Sequence, residues 1–306
     1  MSVAADTTTL RAQPQTRTAS ASRPKRNRRT LVPTLVMSLV LAYCLIPLVW
    51  LIFASTKTNS GLFESFGFWF ADDVRPWQNI KELFAYRDGV FAQWMLNSAM
   101  YSIVSAGGAS IIATIGGYAF SKFQFKGKRF LYAFILGSIM VPTTALAIPT
   151  YLLFARVGIV DTPMAVILPS LVSPFGIFLM KVYTDDAVPD SVIESARVDG
   201  ASELRIFTQI AFRMLTPAFI TVLLFAIVTT WNNYFLPLVM LNSPEFLPVT
   251  IGLAQLNATA NAGGGAQPLL NLVVTGSLVS IIPLIAAFVL LQRFWQSGLA
   301  SGAAKE

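Results

Sequence analysis

The chain has 306 residues, of which 55% are hydrophobic and only 12% charged, with a mean hydropathy of +0.63, and this excludes an ordinary soluble domain. The net charge of +7 comes with no histidine and a single cysteine, Cys44, so most routes to a nucleophile or a metal centre lack their side chains. Gly127-Lys128 lacks the upstream glycine of a phosphate-binding loop, so no such loop occurs either.

In chain order, residues 1–22 are rich in Thr, Ala, Ser and Gln, a composition that stays disordered, and Arg23 to Arg29 carries five basic residues placed to meet anionic headgroups. The apolar run Leu31 to Ala54 is longer than a signal-peptide core and has no small-residue cleavage site before Ser55, so it is expected to be retained as an anchor. Residues 55–94 carry Phe63, Phe66, Phe68, Trp69, Phe70 and Trp77, which suit a segment packed along the membrane interface.

Crossing a hydrocarbon core of about 30 Å takes about 20 helical residues. Stretches 31–54, 95–120, 131–154, 163–180, 216–241 and 270–291 approach or exceed this length without one Asp, Glu, Lys or Arg. The expected fold is therefore all-α, a polytopic membrane protein with six transmembrane helices, because a lipid-facing backbone must satisfy its own hydrogen bonds. Gly107, Gly108, Gly116 and Gly117 fit close helix packing, and Pro142, Pro149, Pro174 and Pro237 are candidate breaks or kinks. With both termini inside, the inside segments hold 17 of the 22 basic residues, which predicts cytoplasmic N- and C-termini in a multi-pass cell-membrane protein. The domain division is then a basic N-terminus at 1–30, a transmembrane domain at 31–291 containing an inside loop at 181–215, and a tail at 292–306.

That loop holds the most informative segment, Asp190 to Pro217. Ser191 and Glu194 fit a capping box that starts a helix at Val192, Gly200 is a left-handed stop, and Ser202 caps a second short helix. Ile193, Ala196, Leu204 and Phe207 would present apolar surface on this pair, with Asp190, Glu194, Arg197, Asp199, Glu203 and Arg205 around it, a mixture suited to a reversible protein partner. Glu194 is equally readable as a cap residue alone. In the fifth stretch Thr229, Thr230, Asn232 and Asn233 must face protein or a water-filled cavity. Thr230, Trp231, Asn232, Asn233 and Tyr234 are candidates to line a pathway, against the alternative of interhelical hydrogen bonding. Residues 242–269, with Asn257, Asn261, Gly263, Gly264, Gly265 and Gln267, read either as a flexible connector or as a loop reaching a partner.

The order Glu194-Ser195-Ala196, three residues, Gly200, nine residues, Ile210 is similar to the signature loop of ABC importer permeases, with Ser195 in place of an alanine and Phe212-Arg213 in place of Leu-Pro. Trp231 to Pro237 resembles the fifth-helix motif of maltose-type sugar permeases, and Gln292 to Ala303 resembles their C-terminal tail. The likeness spans about residues 31–306. It implies the type I importer permease architecture, forming half of a translocation pathway for a sugar. It implies docking to an ATPase through Ile193, Glu194, Ala196, Asp199, Gly200 and Leu204, with further coupling through Leu299, Ser301 and Gly302 in the tail. The implied partners are a second homologous permease, a dimer of ATP-binding subunits that uses the ATP, and an extracytoplasmic solute-binding protein reached by the 242–269 loop; this chain would bind lipid but no cofactor, metal or nucleic acid. The rival classes are an ion-gradient-driven secondary transporter, which would need an ionisable residue at mid-membrane or an inverted repeat, and a purely structural scaffold.

Overall fold

A computed structural model of the chain describes residues 31–262 and 269–303, and among these all regular structure is helical. The expectations for 1–30 and for Gly263, Gly264, Gly265 and Gln267 fall outside the described residues. The chain divides into two units, residues 1–46 and 47–306. The described part of the first is the apolar helical run 31–46.

Helix α1 (Leu31–Ala54) is followed by the short α2 (Asn59–Glu64) and by α3 (Pro76–Ala85), with the aromatic residues between them. Phe53 meets Phe70 edge-on at 4.9 Å and Trp69 at a tilt at 5.8 Å, while Phe63, Phe66, Trp69 and Trp77 stay exposed. Lys57 is fully buried here, its ammonium donating to Ser65 Oγ at 2.8 Å and to the Phe66 carbonyl at 2.7 Å. Asn79 of α3 donates to the carbonyls of Ser55 and Lys57, both at 2.9 Å, and accepts from Asn271 Nδ2 at 3.2 Å. This network satisfies the backbone groups left open where α1 ends.

The centre of the bundle is α4 (Val90–Lys122). Its buried positions include Ser98, Ser102, Ser105, Ala109, Ala113 and Gly117, a face of small residues at spacings of three and four. Small side chains let helix backbones approach closely in lipid, where no hydrophobic drive separates helix from solvent. Gly117 carries this furthest: a Cβ built there would lie 2.5 Å from Met180 Cβ and 2.7 Å from the Lys181 amide nitrogen. Ser110 and Thr114 return their hydroxyls to the carbonyls of Ala106 and Ser110, each at 2.7 Å, so neither is left unpaired in an apolar surround.

The third expected span is not one straight helix. Helices α5 (Lys128–Ile139) and α6 (Thr143–Val157) meet at 105° across Met140 to Pro142, where proline can neither donate a ladder hydrogen bond nor avoid the preceding turn. Pro149 lies inside α6 without breaking it. Helices α7 (Pro163–Ser170) and α8 (Pro174–Ala187) together make one span, re-started by Pro174 and by Ser173 Oγ accepting from the Gly176 amide. Five described helices are long and apolar enough to cross a membrane, or six if the bent α5–α6 pair counts as one.

After α9 (Asp190–Val198) and α10 (Glu203–Arg205), a π-helical stretch at Ile206–Ala211 leads into α11 (Phe212–Trp231). The fifth span therefore starts earlier and ends earlier than the expected 216–241. Helix α12 (Phe235–Met240) follows a break, and α13 (Val249–Asn261) fills much of the 242–269 segment. The turn before α13 is strapped to α4: Asn97 Nδ2 donates to the carbonyls of Glu245 and Leu247, Tyr101 to that of Phe246, and Ser98 Oγ accepts from the Val249 amide. Residues 242–261 are thus structured and not a free connector. The last helix, α14 (Leu270–Ala303), runs without interruption past the expected end of the span at 291.

Candidate functional site

The segment 190–211 is built against one end of the bundle. Helix α9 starts after Pro189 with no side-chain cap, so the expected capping box at Ser191 and Glu194 does not form; Ser195 Oγ instead donates to the Ser191 carbonyl at 2.8 Å. At the other end of α9, Gly200 has φ +78°, the Gly200 amide donates to the Arg197 carbonyl and the Ala201 amide to the Ala196 carbonyl, both at 3.0 Å. This is a Schellman closure with glycine at its left-handed position, as the sequence predicts.

Two residues expected on the docking surface are turned inward. Ile193 is 2% exposed and Ala196 is buried, packed with Met180, Val188, Ile206, Ala211 and Leu215. An amphipathic α9 lying on a membrane bundle puts its apolar face against the bundle before any partner arrives, and this is why they are not free. Glu194, Asp199, Gly200 and Leu204 are exposed, and the prominent apolar surface is Val198 at 87% and Leu204 at 72%. Val198 escaped the sequence reading because it falls off the face that Ile193 and Ala196 define.

Ion pairs fix the element. Arg197 donates to Glu203 through Nε at 2.6 Å and Nη2 at 3.3 Å, stapling α9 to α10 across the Gly200 turn. Lys122, at the end of α4, donates to Asp190 at 2.6 Å. Tyr118 sits beneath, 5.0 Å from the Phe207 ring and 5.9 Å from that of Phe123. Neither the Lys122–Asp190 pair nor Tyr118 carried a local sequence signal, because their partners are distant in sequence.

From Glu203 to Trp231 the chain is one helical run of 29 residues, about 43 Å at 1.5 Å per residue. The Phe212-Arg213 pair, standing where Leu-Pro is usual in the resembling family, lets the helix continue straight into α11. The run ends at the polar cluster. Asn232 returns its side-chain amide to the Val228 carbonyl at 2.9 Å, Asn233 Oδ1 accepts from the Leu236 amide, and the Asn233 carbonyl accepts from Thr250 Oγ1 at 2.9 Å. These local bonds compete with the helical ladder and turn the chain. Asn232 and Tyr234 are exposed, Thr230 and Asn233 half-buried, but Trp231 is packed in the core with Tyr101 and Val249, so as a pathway-lining side chain it is corrected. Its large apolar ring is worth more in that core than beside water. In the tail, Leu299, Ser301 and Gly302 lie on the α14 backbone, and their side chains are outside those described.

Beside this break, Asp161 between α6 and α7 adopts φ +62° and accepts from the Asn242 and Ser243 amides at 2.8 Å and from Ser243 Oγ at 2.6 Å. The Ser243 hydroxyl first, then the two amides, hold its carboxyl below the ordinary value. Because that pKa is lowered on folding, the stability it adds is present above the unfolded value and is lost as pH falls through the folded one. The difference in thermal midpoint between the wild type and Asp161→Asn is therefore expected to be full near pH 7 and to close below about pH 4. Scanning unfolding of both proteins in one detergent checks this, and a gap unchanged in acid would refute it.

The described helices thus form a bundle of apolar spans with an amphipathic helix pair at one end, joined by one continuous helical run to a polar break at the other. The chain belongs to the family described as binding-protein-dependent transport system inner membrane component, whose profile matches residues 109–300. Such permeases work with an ATPase and a solute-binding protein, and the membership gives the secondary-transporter alternative no support. The arabinooligosaccharides transport system permease protein AraQ of Halalkalibacterium halodurans is 30% identical over 217 residues, covering 71% of this chain and 75% of that protein. The maltodextrin transport system permease protein MdxG of Bacillus subtilis is 29% identical, covering 94% of this chain and 99% of its own. The lactose transport system permease protein LacG of Rhizobium radiobacter is 27% identical over 90% of this chain and 96% of its own. In fold, the chain matches a subunit of a bacterial ABC transporter involved in the import of the acidic polysaccharide alginate, with a TM-score of 0.76 at 22% identity, over 89% of this chain and 100% of that one.

Proposed function

We propose that this chain is the permease subunit of an ATP-driven importer of a sugar or oligosaccharide. The observation that carries the reading is the uninterrupted helix from Glu203 to Trp231, which joins the exposed α9–α10 surface to the polar break at 232–234. The sugar class is supported by the relatives, whose names give arabinooligosaccharides, maltodextrin and lactose as their cargo.

In this reading the chain pairs with a second homologous permease, and one subunit of an ATPase dimer grips α9–α10 through Glu194, Asp199, Gly200 and Leu204, with Val198 beside them. Ile193 and Ala196 hold the element to the bundle so that it moves with α11. Closure of the ATPase on ATP displaces α9–α10, and α11 carries that displacement to the break, where Thr230, Asn232, Asn233 and Tyr234 offer hydroxyls, amides and a ring edge to sugar hydroxyls. ATP is used by the partner, and this chain binds no cofactor. The N- and C-termini lie in the cytoplasm, the basic residues from Arg23 to Arg29 meet the headgroups, and the tail from Leu299 to Ala303 extends between the ATPases. The solute-binding protein docks on the opposite face, at the 242–269 loop.

The test is affinity purification of the full-length protein from its native membrane with identification of the chains that follow it. Recovery of a second permease, an ATPase and a binding protein is expected, and the ligand of that binding protein then names the substrate. Recovery of this chain alone, in a detergent that keeps known membrane complexes together, would overturn the proposal.

A further inference from the structure

The α4–α5 junction contains a cavity that the transport reading does not use. It measures about 680 Å³ and is lined by Phe120, Gln124, Phe125, Gly127, Lys128, Arg129, Phe130, Tyr132 and Lys181. Three cations line it and no carboxylate does. Lys181 is engaged, with its ammonium 2.6 Å from Asp185 and over the Tyr132 ring at 5.5 Å, and Lys128 donates to the Phe123 carbonyl at 2.9 Å. Arg129 is exposed and forms no ion pair among the described residues. The floor is aromatic: Phe120 stands 5.7 Å from Phe125 and 5.5 Å from Tyr132. No side chain caps the first turn of α5, which starts at Lys128.

We propose that this cavity holds the headgroup of an anionic phospholipid, with Arg129 and Lys128 on the phosphate and the acyl chains along α5. A phosphodiester is the anion this lining suits, because a guanidinium fork and an ammonium both donate to its oxygens while it brings the negative charge the cavity lacks. The choice of lipid over a free anion follows from the wall that continues the cavity. Phe130 and Phe134, one helical turn apart on α5, are 74% and 70% exposed, and Leu131 beside them is exposed as well. An apolar face that leads directly out of a basic cavity at the end of a membrane helix matches an amphiphile and not inorganic phosphate. Aromatic rings like those of the floor favour the headgroup region of a bilayer.

The experiment uses the full-length permease with its co-purified partner subunits, exchanged into detergent with phosphatidylglycerol, cardiolipin or phosphatidylcholine, and native mass spectrometry reads the bound lipid. The anionic lipids are expected to be retained over phosphatidylcholine, and Arg129→Gln and Lys128→Gln each to lower retention about fivefold, in proportion to the charge removed near the headgroup. Lys126→Gln removes the same charge from the same loop but from outside the lining, and is expected to leave retention unchanged. Equal retention of phosphatidylcholine by the wild type overturns the proposal without recourse to any variant. A Lys126→Gln loss as large as that of Arg129→Gln would reduce the effect to general surface charge. Displacement by millimolar inorganic phosphate would assign the cavity to a free anion. Lipid bound by the permease alone but absent from the assembled complex would mean that a partner protein covers this surface.

Discussion

Gly200→Val is expected to reduce ATP-driven uptake at least tenfold while leaving membrane insertion and detergent-solubilised yield unchanged. The residue holds φ +78° and no atom lies within 4 Å of the position a Cβ would take, so the damage is conformational and stays local. A side chain in the left-handed region costs about 1–2 kcal/mol, more for a β-branched one, and the cost falls on the Schellman closure that orients α10 against α9. Asparagine tolerates this conformation, so Gly200→Asn should keep most of the uptake. The two variants differ in the turn and share the loss of the glycine. Uptake by Gly200→Val equal to the wild type would remove α9–α10 as the transmitting element, since the turn fixing its shape would then be dispensable.

Gly117→Leu should fail earlier, at folding. Here the added atoms meet Met180 Cβ at 2.5 Å, the Lys181 nitrogen at 2.7 Å and the Met180 carbonyl carbon at 2.8 Å, two of them backbone atoms that cannot rotate away. Overpacking of this kind costs about 1–3 kcal/mol where side chains can yield, and the backbone partners put this site at or above the upper end. The expected outcome is a collapse of the monodisperse fraction on size exclusion and a lowered thermal midpoint, before transport is assayed. Gly107, on the same helix with nothing within 4 Å, is the matched control, and Gly107→Leu should purify as the wild type does. If both variants purify normally, α4 and α8 do not pack through Gly117.

The limits of the sequence are physical. The apolar runs, their number and the helical class could be read because lipid demands long uncharged helices and admits little else. Gly200 was readable for a similar reason, since few residues take its backbone conformation. The faces of short helices were not readable. Ile193 and Ala196 lie at helical spacing and so belong to an apolar face, but only the surrounding α4, α8 and α11 decide that this face is consumed within the chain. Trp231 sits among polar neighbours in sequence and among Tyr101, Val249 and Ile251 in space. Prolines show the same limit: Pro142 stands at a 105° break, whereas Pro149, Pro217 and Pro283 lie inside continuous helices. The Asp161 clamp joins positions about 80 residues apart, beyond the reach of any local pattern.

The π stretch at Ile206–Ala211 sets an angular phase. An α-helix advances about 100° per residue, and a π turn accommodates one residue more than an α turn over nearly the same rise. Everything before residue 206 is therefore rotated, relative to α11, from where an unbroken α-helix would place it. Rewinding the stretch to α geometry with all its residues kept would swing α9–α10 about the axis of α11 by roughly a quarter turn, whereas loss of one residue would restore α geometry and leave that azimuth nearly unchanged. In the first case the spans would keep their hydrophobicity and Gly200 its turn, yet the surface around Leu204 would face a different direction. In the proposed assembly, the azimuth at which an ATPase meets α9–α10 is thus set by how this stretch is wound.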